Sequence, residues 1–319
     1  MANPRVTGLR GLEVAVYDLN ESAEYYRKAW ALEEVSRDGN KMQLRATGPE
    51  HHVLTLHERP KAGLVCVNFA ADDKASVDAL HAKALASGAA VVSTPHALPA
   101  ADGGGYGFEV NTPDGHMMRV SSNLDVHAVT SLDISRPWRI NHVVLNSEDT
   151  QKEMRFYLDT LGFKHSDTTD IMSFIRCSVN HHSIALAKHG GPSLNHMAYE
   201  MHNYEGLMKG TGRVRLAGHE IGWGVGRHAG PGQNIFAYFV DPNGFSTEYT
   251  TDVDQVDDSY QEHFPDFWNA KPLRPCAWAG NKTVPSAASI RAMSGKAIAE
   301  RNATVDTTCD DIISQKLAS

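Results

Sequence analysis

Residues 141–188 read NHVVLNSEDTQKEMRFYLDTLGFKHSDTTDIMSFIRCSVNHHSIALAK, and the same order of features occurs once before, over Leu12 to Glu58. Each copy opens on a short strand-like run, Val143-Val-Leu-Asn146 and Val14-Ala-Val-Tyr17. Acidic and polar residues suited to a helix start follow in both, Ser147 to Thr150 and Asp18 to Ser22. The spacing predicts a helix after each. The second carries Met154, Phe156, Tyr157 and Leu161, the first Tyr25, Tyr26 and Trp30, and a turn and two further strands come next. Both copies close on paired histidines, His181-His182 and His51-His52.

The following quarters also match, because Thr112-Pro113-Asp114-Gly115 before one strand mirrors Asp241-Pro242-Asn243-Gly244 before another. Four modules in two pairs result, each of one strand, one helix and three strands. Alone, such a unit leaves an apolar sheet face uncovered, and pairing covers it. The fold class expected is therefore α+β, with two domains of paired βαβββ modules. The boundaries expected are 1–122 for the first pair, 123–137 for a polar, turn-prone linker, 138–252 for the second pair and 253–319 for a C-terminal extension packing on it.

The 319 residues suffice for two domains with real cores, and 41% hydrophobic with 21% charged residues fits a globular chain. No stretch approaches the roughly 20 apolar residues that span a bilayer, and the start Met-Ala-Asn-Pro-Arg has no apolar run, so a cytoplasmic protein without membrane contact is expected. A net charge of −8 argues against a nucleic-acid partner. Cys66, Cys177, Cys276 and Cys309 lie far apart, which suggests reduced thiols and neither disulfides nor a zinc site.

The halves differ where chemistry is concerned. Superposing the matched turns sets Glu248 opposite Arg119, the first strands set His142 opposite Glu13, and the third pair sets His196 opposite roughly Val67. Strand alternation puts Ile140, His142 and Val144 on one face, Leu194, His196 and Ala198 on a second strand's face, and Ser246, Glu248 and Thr250 on a third. A lone histidine in a strand is ordinarily packed or exposed. Two imidazoles and one carboxylate together make the facial triad of non-haem Fe(II) oxygenases, with adjacent positions open for substrate and O2. His142, His196 and Glu248 are the expected metal ligands, for Fe(II), with Mn(II) as the alternative.

Gly226-Arg227-His228 and Tyr238-Phe-Val-Asp241-Pro242-Asn243-Gly244-Phe-Ser-Thr-Glu248 carry the most specific likeness. Over about 250 residues the chain resembles the type I extradiol dioxygenases of the vicinal-oxygen-chelate superfamily, with the closest look to trihydroxytoluene and 2,3-dihydroxybiphenyl dioxygenases. The resemblance implies an enzyme that opens a catechol-type ring with O2, giving a muconic semialdehyde-type product, and a homo-oligomer, dimer or tetramer. It also implies roles. His182, in His182-Ser-Ile-Ala185-Leu186, stands at the family's acid/base histidine, with His181 on the opposite face of the same strand. Tyr238 stands at a tyrosine reaching substrate or oxygen, the alternative being a core tyrosine. His228 resembles a further histidine near the metal, although the stretch to Tyr238 is one residue longer than the commonest pattern; a loop histidine is the other reading.

Two other functions share the scaffold. Glyoxalase-like isomerases or lyases use a metal and two carboxylates, and only one carboxylate is visible here. A metal-free module that binds an aromatic ligand is disfavoured by the complete triad. The first pair is expected to be metal-free support, with His51, His52 and His116 as ordinary residues. Phe264, Phe267, Trp268 and Trp278 of the extension are expected to pack over the second pair, where the extension would cap the pocket entrance.

Overall fold

The computed structural model describes residues 4–129, 133–271 and 274–317, without the side chains of 307–317. Residues 130–132 of the expected linker and the side chain of Cys309 lie outside the described residues. The first half contains β1 (Gly8–Val16), α1 (Leu19–Glu24), β2 (Glu33–Asp38), β3 (Lys41–Arg45), β4 (Leu54–Glu58), β5 (Gly63–Ala70), α2 (Lys74–Ala86), β6 (Ala90–Val91), β7 (His96–Ala97), β8 (Tyr106–Asn111) and β9 (Met117–Ser122). The second contains β10 (Arg139–Ser147), α3 (Thr150–Asp159), β11 (Lys164–Thr168), β12 (Met172–Arg176), β13 (Ile184–Lys188), β14 (Ser193–Glu200), α4 (Tyr204–Leu216), β15 (Trp223–Arg227), β16 (Ile235–Val240) and β17 (Ser246–Thr251). Helices α5 (Pro265–Asn269), α6 (Ala287–Met293) and α7 (Lys296–Leu317) follow.

Each half forms one mixed sheet, ordered β2-β3-β4-β1-β5-β9-β8-β6 with β7 on β8, and β11-β12-β13-β10-β14-β17-β16-β15. The expected α+β architecture of four βαβββ modules is what the chain adopts. Sequence explains the helix starts: Asp18, Asp73, Asp149 and Asn203 each accept a hydrogen bond from backbone N–H groups of the first turn. The central strands β1 and β10 are buried along most of their length, as strands covered on both faces must be.

The two halves share one core. Just beyond α1, Trp30 is fully buried and stacks on Tyr249 of β17 at 3.9 Å between ring centres, with Tyr199 and Phe239 edge-on. Each large apolar side chain so buried contributes roughly 1.5–3 kcal/mol. The matched turns act as mutual clasps. Asn243 Nδ2 donates to Ser22 Oγ and Tyr26 donates to Asp241, while the Asp114 backbone N–H donates to Glu153 of α3. The C-terminal segment does more than cover the second sheet, because Asn302 of α7 hydrogen-bonds Tyr17 and both backbone groups of Ala62 in the first half. Of its aromatics only Trp268 is buried; Phe264, Phe267 and Trp278 are exposed. Cys66, Cys177 and Cys276 are free and buried, and no described helix is long and apolar enough to cross a membrane.

Candidate metal centre

Strand pairing aligns Trp223, Tyr238, Glu248, Ala198 and His142 in one row across β15, β16, β17, β14 and β10. The adjacent row runs Asp167, Phe174, Ala185, Val144, His196 and Ser246. Residues directly opposite, or two apart on a regular strand, share a face, so both rows look to the same side of the second sheet. Ala198 stands between His142 and Glu248, and its methyl group leaves the space above it open.

Into that space point three donors. Glu248 Oε2 lies 3.2 Å from both His142 Nε2 and His196 Nε2, and the three atoms lie within 4.8 Å of one another. The His142, His196 and Glu248 side chains are 3%, 7% and 0% exposed, and no hydrogen bond of ordinary geometry satisfies His196 Nε2 or Glu248 Oε2. Buried polar atoms left unpaired at a common point fit a cation held between them. Burial raises the Glu248 carboxyl pKa, and the imidazoles of His142 and His196 more than offset this, leaving it well below the usual carboxylate range. Burial pushes His196 down, against the opposing pull of Glu248. The Glu248 carboxylate and the His196 imidazole are then in the state a metal needs.

Three asparagines aim these donors. Asn141 Oδ1 and Asn195 Oδ1 each accept from Nδ1–H of the following histidine at 2.8 Å, which leaves both Nε2 lone pairs free for the site. Asn141 is itself fixed by donating to Glu200, and Asn195 by donating to Asn146. Asn234 donates to Glu248 Oε1 at 3.0 Å and to Thr250, so Oε2 is the oxygen turned inward. These partners were not anticipated, although two sit in a repeated Asn-His dipeptide that carries the signal.

His182, Tyr238 and His228 all reach this site. The His182 ring centre is 4.4 Å from that of His142; burial first, then the neighbouring histidines, hold it well below its ordinary pKa. Tyr238 lies edge-on to His196 and its hydroxyl is 3.3 Å from His228 Nε2. Burial drives Tyr238 well above its usual value and His228 down to about 4. In the loop before β16, Gly232, at φ +79°, lies where a Cβ would sit 2.8 Å from His182 Cε1. His181 departs from expectation. The pair precedes β13, so strand alternation does not separate them, and His181 Nδ1 is 3.1 Å from His182 Nδ1.

The sister positions also need correcting. Pairing registers place His142 opposite Gly11, not Glu13, while His196 falls opposite Cys66, next to the Val67 roughly expected, and Glu248 matches Arg119. The runs around Leu12 and Val143 are buried on both faces and offer no polar marker of register; a slip of two residues keeps the face. Around Arg119 the first sheet holds Glu13 and Glu109 in ion pairs, beside a cavity of about 210 Å³ lined by Arg10, His52, Asn68 and Asp102. His52 is thus a buried cavity residue, which burial holds at about 4.

Residues 139–249 match the family described as the Glyoxalase/Bleomycin resistance protein/Dioxygenase superfamily. Metapyrocatechase 2 of Cupriavidus necator is 34% identical over 123 residues, 38% of either chain. Biphenyl-2,3-diol 1,2-dioxygenase of Paraburkholderia xenovorans is 30% identical over 156 residues, 45% of this chain and 52% of that one. The chain therefore spans about half or less of the length of these curated relatives. The crystal structure of a Mn(II)-bound glyoxalase from Novosphingobium aromaticivorans superposes with a TM-score of 0.82 at 39% identity, covering 89% of this chain and 94% of that one.

Proposed function

We propose, for a chain that belongs to the glyoxalase/bleomycin resistance protein/dioxygenase superfamily, that its second half is a mononuclear Fe(II) centre, with Mn(II) as the alternative, that cleaves a catechol-type ring beside the diol. The observation that carries this reading is the convergence of His142, His196 and Glu248, with no fourth protein ligand in that group among the described residues. Such a set leaves positions for both catechol oxygens and for O2. The metal, when bound, would polarise the substrate oxygens and supply the path for electrons to O2. The relatives named as catechol and biphenyl-diol dioxygenases support the same chemistry.

The remaining steps belong to side chains. His182, uncharged in its buried setting, accepts a proton from a substrate hydroxyl and returns it later in the cycle. Tyr238, kept protonated, donates to a substrate or oxygen atom, and His228 orients its hydroxyl. Val144, Phe174 and Ala185 form a small apolar cluster on the site's face of the sheet, suited to the ring. A cytoplasmic homo-oligomer, dimer or tetramer, goes with this reading, and light scattering on the purified chain tests its assembly.

A second reading, an isomerase or lyase at the same metal, draws on the 39% identical structure named as a glyoxalase. One preparation separates the two. Anaerobic loading with Fe(II), then air and a panel of catechols, should give a yellow ring-cleavage product with matching O2 uptake. Turnover of the hemithioacetal of methylglyoxal and glutathione, with no O2 uptake on any catechol, would reverse the assignment.

A further inference from the structure

Asp167 of β11 is completely buried, yet its carboxylate is ringed by donors. Oδ2 accepts from His181 Nε2 at 2.8 Å and from the Tyr260 hydroxyl at 3.0 Å. Oδ1 accepts from the His263 backbone N–H at 2.9 Å and from His263 Nδ1 at 3.0 Å. Tyr260 and His263 come from the C-terminal segment beyond the repeats, which joins β11 through a bridge between Asp167 and His263. Burial raises the Asp167 pKa, but the hydrogen bonds from His181, His263 and Tyr260 hold it below its ordinary value, so the group is a carboxylate.

Hydrogen-bond bookkeeping then runs inward. A carboxylate can only accept, so His181 must carry its proton on Nε2. A neutral His181 therefore has a lone pair on Nδ1, and the short contact between the two Nδ1 atoms needs its proton from His182. That proton assignment leaves Nε2 as the basic nitrogen of His182. Gly232 passes close to both rings: a Cβ there would sit 3.0 Å from His182 Nδ1 and 3.4 Å from His181 Nδ1.

Building on the metal-site reading above, we infer that Asp167 and His181, completed by Tyr260 and His263 of the C-terminal segment, are positioning residues that fix His182 in its Nδ1–H tautomer and offer Nε2 to the substrate hydroxyl. When Nε2 takes that proton, the proton and its charge stay on His182 until they are returned, facing a chain that ends on a carboxylate, and His181 and Asp167 neither gain nor lose a proton. A third group that orients the base is the general logic of such arrangements. The C-terminal segment is thereby part of the active site's scaffolding.

The test reads tautomers directly. In ¹⁵N-histidine NMR of the full chain loaded with diamagnetic Zn(II), His182 should be protonated at Nδ1 and His181 at Nε2. Asp167→Asn presents an amide that can donate to His181 Nε2. That reverses both tautomers, so His182 should switch to Nε2–H, and kcat should fall about 10²-fold or more with KM within about twofold. Asp167→Glu should restore part of kcat and the original tautomers. Wild-type His182 protonated at Nε2, or a doubly protonated His181, would overturn the inference, as would Asp167→Asn with wild-type tautomers and kcat. Should the substitution prevent folding, the wild-type spectrum alone decides. Failure to bind Zn(II), or to cleave any catechol, would strike at the metal-site reading instead, and the tautomers remain readable on the metal-free chain.

Discussion

The His182 imidazole is where the proposed proton chemistry concentrates, and it touches no ligand atom of the triad through a hydrogen bond; its Nδ1 is engaged by His181. His182→Phe keeps an aromatic ring of similar bulk beside His142 and removes the base. Metal content should stay near one per chain while turnover drops about 10²-fold or more, as loss of general acid–base catalysis ordinarily costs; unchanged turnover removes His182 from the reaction. Asn234 makes the opposite kind of prediction. Asn234→Ala frees Glu248 Oε1 and leaves its carboxylate to rotate, so affinity for the metal should weaken about 10- to 100-fold in a direct titration, with the fold intact. The triad was legible because three potential ligands stand where the sister half has Gly11, Cys66 and Arg119, which make no such set. The asparagines and Asp167 were not, because short polar residues in strands look like ordinary solvated or capping residues until the pairing shows what they face.

At the level of elements, the repeat disclosed four βαβββ modules and the helix starts, since Asp18 and Asp149 advertise their capping role in any sequence. Register in the innermost strands was hidden for the reason that makes them innermost: with both faces buried, β1 and β10 carry almost no alternation to count. The path of the C-terminal segment was hidden as well, because nothing in a non-repeating stretch says that Tyr260 and His263 dock on β11 or that α7 reaches Ala62. The loop before β16 belongs to this scale too. Gly232 holds positive φ and lies against His182, so Gly232→Ala meets both backbone strain and a collision. A loss of about 1–3 kcal/mol in denaturant unfolding is expected, together with a lower kcat, because the loop can relax only by releasing the histidine pair. An alanine variant with wild-type stability and kcat would mean that this loop does not constrain His182.

Across the whole molecule the two halves are clasped at the equivalent turns, and the carboxyl groups in those clasps are buried. Asp241 is pushed up to about 6 by burial, against the hydrogen bonds of Asn243, Phe245 and Tyr26. Glu153 is fully buried and has no partner on Oε1; burial drives it up to about 7, with the charge of Asp114 adding to the effect and a hydrogen bond from Thr112 opposing it. The sign follows from linkage. Below about 4.5, the value for an exposed glutamate, both folded and unfolded chains hold the proton and Glu153 costs nothing. As pH rises toward 7 the unfolded chain ionises first, so the folded state loses ground, and above 7 the deficit is complete. A gap from about 4.5 to about 7 corresponds to about 3 kcal/mol at most. Glu153→Gln keeps an oxygen for the Asp114 backbone N–H and abolishes the ionisation. The variant should therefore be more stable than the parent by about 1–3 kcal/mol at pH 8, and no more stable at pH 4.5. Urea unfolding of both proteins across that range reads the difference, and a gain that is the same at both ends would show that the clasp does not hold a protonated glutamic acid.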